Sequence, residues 1–379
     1  MKTIVLGAGR VGSAMAIDLA NDPSFDVRVA DRDPRRLVPL QERHGIPTER
    51  VDFSLSSTVT RAIKDVDLVI SAVPGFLGYR TLEAIIDAGK NVVDIAFFPE
   101  DPFGLDEAAK AKGVTAIVDC GVAPGMSNLL VGHVHALLDR TDSVGIYVGG
   151  LPAERTGLYE YRAVFSPIDV IEEYVRPARI VENGKVVVKP ALSEVEPMTF
   201  DAVGTLEAFN TDGLRTLAET IDAPNMVEKT LRYPGHADKV RLLRDTGFFS
   251  DEAIDLEGHE VRPLDVATAL LFPMWELKQG EEDVTVMRIV VEGAKDGVGV
   301  RYTYDLVDRF DRVTGTSSMA RTTGYTATAA ARMLRAALFA EPGVVAPEFL
   351  GRRPACVEFI LVDLETKGIR YEETIVRPN

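Results

Sequence analysis

The sequence predicts an α/β domain with a doubly wound parallel sheet, followed by an α+β domain whose sheet is mostly antiparallel. Three observations predict it. The first third alternates short, β-branched apolar runs with amphipathic stretches, the pattern of βαβ units. A glycine-rich turn links the first of those runs to the first helix. From about Val144 the crossover pattern stops and two-residue hairpin signals take its place.

In chain order, Thr3–Leu6, Val27–Ala30, Leu68–Ser71, Val92–Ile95 and Thr115–Val118 read as strands. They are continuous and β-branched, as expected when helices cover both faces of a sheet. Between them, Val11–Asn21, Asp33–His44, Gly78–Ala88 and Leu105–Lys112 read as helices. Cys120–Leu138 lacks Asp, Glu, Lys and Arg, yet Pro124, Asn128, His133 and His135 would be penalised in a bilayer. It is expected to be a loop feeding a buried helix, with Ser127 as the cap. Ile146–Val148, Glu160–Phe165 and Ala178–Val181 follow as strands, and Asn183-Gly184 turns a hairpin into Val186–Val188. Asp296-Gly297 turns a second hairpin between Val286–Glu292 and Val300–Leu306. Gly213–Ile221, Ala237–Arg244 and Leu264–Leu271 read as helices. Thr326–Phe339 is an Ala-rich helix expected to return to the first domain, and Cys356–Leu364 with Tyr371–Val376 reads as a last strand pair. The domains so drawn are residues 1–125, 126–320 and 321–379.

Composition narrows the function classes. With 42 Lys+Arg against 58 Asp+Glu, the net charge of −16 would repel nucleic acid and anionic membrane. Two cysteines, Cys120 and Cys356, make no disulfide framework, and the first apolar run is too short for a signal peptide. A reducing, cytoplasmic setting is expected. No metal site is expected either: His133 and His135 face apart on a helix, without nearby Cys or carboxylate ligands.

The chemistry begins at Gly7-Ala8-Gly9-Arg10-Val11-Gly12, which directly follows a strand and opens a helix. Gly7 permits the tight turn, Gly9 lets backbone approach a pyrophosphate, and Gly12 lets helix and strand pack closely. The helix end offers N–H groups to the phosphates, so Arg10 and Val11 belong to the same cradle. Asp31 ends the second strand about 20 residues on, where an acid would bond the ribose 2′-OH. A carboxylate there repels a 2′-phosphate and favours NAD over NADP, while Arg32, Arg35 and Arg36 argue the other way. Asp52 is a candidate for the adenine edge. Ala72, Val73 and Pro74 follow the strand flanking the switch point, where small residues let a cofactor pass close to backbone. Asp119 closes a strand on the same side. Further on, Arg232, Tyr233 and His236 share one tight turn, read either as a helix-capping corner or as a substrate-binding corner.

The succession GAGRVG, SAVPG, DCGVAPGMSN, EAFNTDG, TLRYPGHADK and SSMARTTGY resembles the saccharopine dehydrogenase family, and within it the lysine 6-dehydrogenase-like branch. The resemblance implies a Rossmann domain, a substrate domain on a mixed sheet that also forms a homodimer, and a C-terminal return to the Rossmann side. It implies a nicotinamide-dependent oxidation at a carbon bearing an amine, acting on a small amino acid. It further implies that Gly7, Gly9, Gly12 and Asp31 hold the dinucleotide. Asn210, Thr211 and Asp212, with Arg232–His236, would face the substrate. Lysine, saccharopine and carboxylated polyamines such as carboxynorspermidine stay open as substrates, the DCGVAPG block tipping toward lysine. A non-catalytic NAD(H) sensor is the alternative of another class.

Hydride can leave a carbon beside nitrogen only when the amine is neutral, so a base must first take the ammonium proton. His236, with an ordinary pKa near 6.5, is the expected base, and Asp119 the electrostatic support. Arg232 suits bidentate capture of a carboxylate, with Tyr161 as a further substrate contact.

Overall fold

A computed structural model of the chain describes residues 1–278 and 280–377, which divide into two units. The first comprises residues 1–137 and 319–370, the second residues 138–318 and the segment from 371 onward.

The first unit is a seven-stranded parallel sheet among the described residues. Its order is Gly343–Val345, Thr115–Ile117, Asn91–Asp94, Leu68–Ser71, Lys2–Leu6, Asp26–Asp31, Thr48–Arg50. The chain starts in the middle and winds outward both ways, so the order reverses between Lys2–Leu6 and Leu68–Ser71. In open α/β sheets such a reversal marks the ligand crevice, at the carboxyl ends of these two strands. Ile4, Val5, Leu6, Val69 and Ile70 have no exposed surface, as continuous apolar strands covered on both faces require. The helices Arg10–Ala20, Pro34–His44, Gly75–Asp87 and Asp106–Lys112 match the periodic stretches within a few residues. Several short elements carry too little periodicity to be seen in the sequence, among them the edge strands Thr48–Arg50 and Gly343–Val345 and the helices Ser56–Ala62 and Pro347–Gly351.

The boundary expected at residue 125 falls at 137, because helix Met126–Leu137 belongs to the first unit. Its glycine and one from the segment Pro347–Gly351 explain the close packing. A Cβ on Gly132 would lie 2.3 Å from the carbonyl of Glu348, and one on Gly351 2.1 Å from that of Leu129. Ser127 is not the cap: the helix begins at Met126, and Ser127 Oγ donates to Asn128 Oδ1 at 2.9 Å. The late helix runs Ser318–Arg335, and from Met319 it is part of the first unit. Gly324 abuts Val11 and Met15, and Arg332 bonds Asp18 at 2.8 Å and Asp22 at 3.2 Å. Residues 354–366 form a helix rather than the expected strand. Pro354 suits its first turn, and the buried Cys356, Ile360 and Leu364 recur every four residues.

The second unit is a nine-stranded mixed sheet among the described residues. Its main path is Glu196–Phe200, Gly204–Asn210, Asn225–Arg232, Arg140–Pro152, Asp283–Lys295, Val298–Arg309, Glu372–Val376. Asn225–Arg232 runs parallel to Arg140–Pro152, and the other neighbours on this path are antiparallel. Both hairpins form at Asn183-Gly184 and Asp296-Gly297, each placing a residue of positive φ before its glycine. The last strand, Glu372–Val376, pairs with Val298–Arg309, so the C-terminal segment is shared between the two units. Glu160–Phe165 is irregular apart from a bridge between Ala163 and Glu276. The expected helix at 213–221 shrinks to Leu217–Thr220. A helix at Pro167–Val175 stands where no element was expected. It buries Val170, Ile171 and Tyr174 against a core that includes Tyr161, Phe209 and Trp275.

Candidate active site

In the first unit the expected nucleotide cradle is built of backbone. Gly7 has φ +105°, and a Cβ on it would stand 2.5 Å from Ala72 O, so the glycine turn lies against the segment after Leu68–Ser71. A Cβ on Gly12 would stand 2.0 Å from Gly7 O, which no side chain tolerates. Gly9 differs. Within 4 Å of its Cβ position lies only Arg36 Nη1, at 3.9 Å, so nothing in the protein's own packing requires a glycine. Gly9 is also the N-cap of helix Arg10–Ala20, and no side chain caps that end. A cradle that a Cβ would fill, at a helix N-terminus, fits a pyrophosphate.

Asp31 is 6% exposed and already has two donors: Ala8 N–H reaches Oδ2 at 2.7 Å and Asp33 N–H reaches Oδ1 at 2.8 Å. It therefore shapes the glycine turn. Arg36 Nη1 stands 4.0 Å from Asp31. Arg32, Asp33, Pro34, Arg35, Arg50 and Asp52 line an open recess of about 450 Å³. Arg50, which sequence reasoning did not single out, donates to the carbonyl of Arg32 at 3.2 Å. Asp52 accepts from Ser54 N–H at 3.0 Å, which holds its carboxyl below the ordinary range. Ala72, Val73 and Pro74 follow Leu68–Ser71 and precede helix Gly75–Asp87. Asp119 is buried with φ +50°, just past Thr115–Ile117. Beside it, burial and the charges of Asp94 and Asp119 push the Cys120 thiol up to about 12, so it is inert as a nucleophile.

In the second unit the expected substrate residues fall into two groups. Arg232, Tyr161 and His236 come together, joined by two residues that sequence reasoning missed, Glu173 and Tyr174. Arg232 ends its strand and is 2% exposed. Its Nη2 bonds Glu173 at 3.0 Å, its Nη1 donates to Leu231 O at 3.0 Å, and its Nε donates to Tyr174 Oη at 3.3 Å. The guanidinium carbon sits 4.7 Å from the centroid of the Tyr161 ring. The turn itself is set by Gly235, with φ +88°, and by Glu207, whose carboxylate accepts from Gly235 N–H at 2.8 Å and Ala237 N–H at 2.5 Å.

His236 does not meet the expectation of a base with an ordinary pKa. It is 2% exposed. Its Nδ1 lies 3.1 Å from Tyr159 O, and a carbonyl only accepts, so Nδ1 carries the proton. Nε2 then accepts from Tyr174 Oη at 2.9 Å, and that oxygen in turn accepts from Arg232 Nε. Burial, together with the Arg232 charge, drops the imidazole to about 3. Both nitrogens are committed. The ring orients Tyr174, and Tyr174 orients the guanidinium.

The other group is engaged within the unit's own structure, except that Asn210 Oδ1 is buried without a hydrogen-bond partner. Tyr233 Oη donates to Pro152 O at 2.9 Å, a tether within the unit. Asn210 Nδ2 bonds Ser193 Oγ and Glu194 Oε2, both at 3.1 Å. Asp212 is held bidentately by Arg179 at 2.9 and 3.1 Å, so it is no free base. Thr211 Oγ1 donates to Glu228 at 2.6 Å. Burial, reinforced by the charges of Glu173 and Asp212, pushes Glu228 up to about 8 against that hydrogen bond. The signal for Glu173 was present in the sequence. Ser166-Pro167 followed by Val170, Ile171 and Tyr174 has helical spacing and places Pro at the first turn.

Among the described residues no group of three His, Cys, Asp or Glu side chains could hold a metal ion. No helix among them is long and apolar enough to cross a membrane.

Comparison with known proteins identifies the family. The family model described as the saccharopine dehydrogenase NADP binding domain matches residues 3–117, and that of the saccharopine dehydrogenase C-terminal domain matches residues 121–369. The chain belongs to the saccharopine dehydrogenase family. It is 25% identical over 277 residues to the mitochondrial α-aminoadipic semialdehyde synthase of Mus musculus, covering 69% of this chain but 30% of that relative. It is 23% identical to the carboxyaminopropylagmatine dehydrogenase of Synechocystis sp., covering 100% of this chain and 98% of that one. Among solved structures, apo saccharopine dehydrogenase (L-Glu forming) from Saccharomyces cerevisiae superposes with a TM-score of 0.81 at 21% identity, covering 99% of both chains. That likeness establishes the fold.

Proposed function

We propose that this chain is a pyridine-nucleotide-dependent dehydrogenase that oxidises a carbon–nitrogen bond of an amino acid, in the manner of a lysine 6-dehydrogenase and with NAD preferred. One observation carries the amino-acid reading. A guanidinium, 2% exposed, is braced by Tyr174 and stacked on Tyr161 at the end of a rigid strand. Such a group suits a carboxylate anchor. Asp31 supports the preference for NAD; the neighbouring Arg32, Arg36 and Arg50, and the family's NADP-binding domain, are what it must outweigh.

The backbone of Gly7–Gly12 would hold the pyrophosphate, and Asp31 the adenosine ribose. When bound, the nicotinamide supplies the hydride acceptor. Arg232 fixes the substrate by its carboxylate. Asp119, at the carboxyl end of the parallel sheet where ligands of such folds bind, is the first unit's candidate for proton handling. A second reading, saccharopine or a carboxylated polyamine as substrate, is supported by the names of the Saccharomyces and Synechocystis relatives.

The test is absorbance of the reduced nucleotide with lysine, saccharopine and carboxyaminopropylagmatine, each with NAD and with NADP. Lysine with NAD should turn over fastest. Turnover of another substrate alone moves the assignment to the second reading. Nucleotide binding without turnover on any of them would leave a redox sensor.

A further inference from the structure

Arg232 and Glu173 form an ion pair that is left half used. Its single contact runs from Nη2 to Oε2. Elsewhere in the same unit, Arg179 and Asp212 meet bidentately and add a backbone N–H, as a purely structural pair does when it uses its hydrogen-bonding capacity. Arg232 has five N–H donors, of which Tyr174, Leu231 and Glu173 take one each. Two remain, one on each terminal nitrogen. Glu173 Oε1 accepts no hydrogen bond among the described residues. The two partners also differ in access: the Arg232 side chain is 3% exposed and that of Glu173 24%. The cation lies beneath and the carboxylate at the rim. Tyr161, whose ring underlies the guanidinium, has a buried hydroxyl without a hydrogen-bond partner of normal geometry.

We propose that Arg232 and Glu173 together form a receptor for the zwitterionic end of an α-amino acid, the guanidinium taking the carboxylate and Glu173 the α-ammonium. This rests on the reading that Arg232 binds the substrate carboxylate. The physical reason is charge balance. A lone carboxylate entering beside Glu173 would bring two anions against one cation in a poorly solvated place. A zwitterion brings its own compensating charge, so the four groups alternate in sign and no net charge is added. Each existing partner keeps one contact and fills its unused positions. The helix Pro167–Val175 thus contributes a specificity-determining residue, Glu173, next to the tyrosine that positions Arg232.

The test compares L-lysine with 6-aminohexanoate, which is lysine without its α-ammonium, by calorimetric titration of the full chain. Wild type should bind lysine tighter by about tenfold or more, the range of a hydrogen bond between charged groups. Glu173→Gln should narrow that ratio to about threefold or less, through weaker lysine binding, while Glu173→Asp retains most of it. Thermal melting checks that both variants are folded. Arg232→Lys should weaken both ligands alike. A ratio unchanged in Glu173→Gln, or a wild type that binds both ligands equally or neither, overturns the proposal. If Arg232→Lys leaves both affinities unchanged, it is the carboxylate reading that fails. If Arg232 matters and Glu173 does not, only the receptor fails.

Discussion

On the proposed reading, the two units would hold a charged ligand in opposite ways. The first uses backbone: three glycines, an uncapped helix end and one carboxylate that grips the turn. The second uses buried side chains, with Arg232, Glu173, Tyr174 and His236 linked in one chain of hydrogen bonds. A backbone site depends on what is absent, since any Cβ spoils it. A side-chain site depends on partners drawn from distant segments, so it fails by leaving a buried group unpaired.

The sharpest break between the two designs lies within the glycine turn. Gly12→Val should destabilise the protein by about 3 kcal/mol or more, because its Cβ would overlap the carbonyl of Gly7. Gly9→Val should change stability by about 0.5 kcal/mol or less yet abolish nucleotide binding. Melting temperatures and nucleotide titrations on both variants test this. Retained affinity in Gly9→Val would mean that the turn is a fold element and not a cradle.

In the second unit the expected losses follow burial. Glu228, held at about 8 against an unfolded value near 4.5, keeps its proton longer in the folded state. Its contribution to stability is therefore complete below pH 4.5 and is lost as pH rises toward 8. Glu228→Gln should match wild type at pH 5 and exceed it by about 2 kcal/mol or more at pH 8. Urea midpoints at the two pH values measure this, and parallel shifts would contradict it.

His236 has the opposite sign. The folded ring stays neutral down to about 3 while the unfolded one protonates near 6.5, so its contribution is full above pH 6.5 and is lost as pH falls. His236→Asn should cost about 2 kcal/mol at pH 7 by stranding the Tyr174 hydroxyl, and should reduce the acid sensitivity of stability. It should leave the acidic limb of the pH–rate profile in place. Loss of that limb would restore the imidazole as the base.

The smallest effect returns to the first unit. Asp31→Ala should weaken NAD binding by about tenfold and raise the ratio of NADP to NAD in kcat/KM. The variant also strips an acceptor from Ala8 N–H, so some loss of affinity for both nucleotides is expected. A wild type that already prefers NADP would hand the selection to Arg32, Arg36 and Arg50.

The glycine turn of the first unit was legible because its signals are local. Gly7, Gly9, Gly12 and Asp31 fall at fixed spacings around one strand–turn–helix, and parallel strands covered on both faces are apolar throughout. The hairpins at Asn183-Gly184 and Asp296-Gly297 were legible for the same reason, since positive φ selects those residues locally. The candidate substrate residues of the second unit were legible only as residue types. Nothing near Arg232 in the sequence says that Glu173, 59 positions away, is its partner, or that Tyr159 and Tyr174 consume both nitrogens of His236. Those pairings depend on a helix docking against a sheet, and the same docking removes the water that would have kept the imidazole near its ordinary pKa. Which glycines a turn requires is decided by the bonded geometry of a few residues. Whether a buried histidine is a base or a brace is decided by the dielectric and the partners around it, and only the folded chain supplies those.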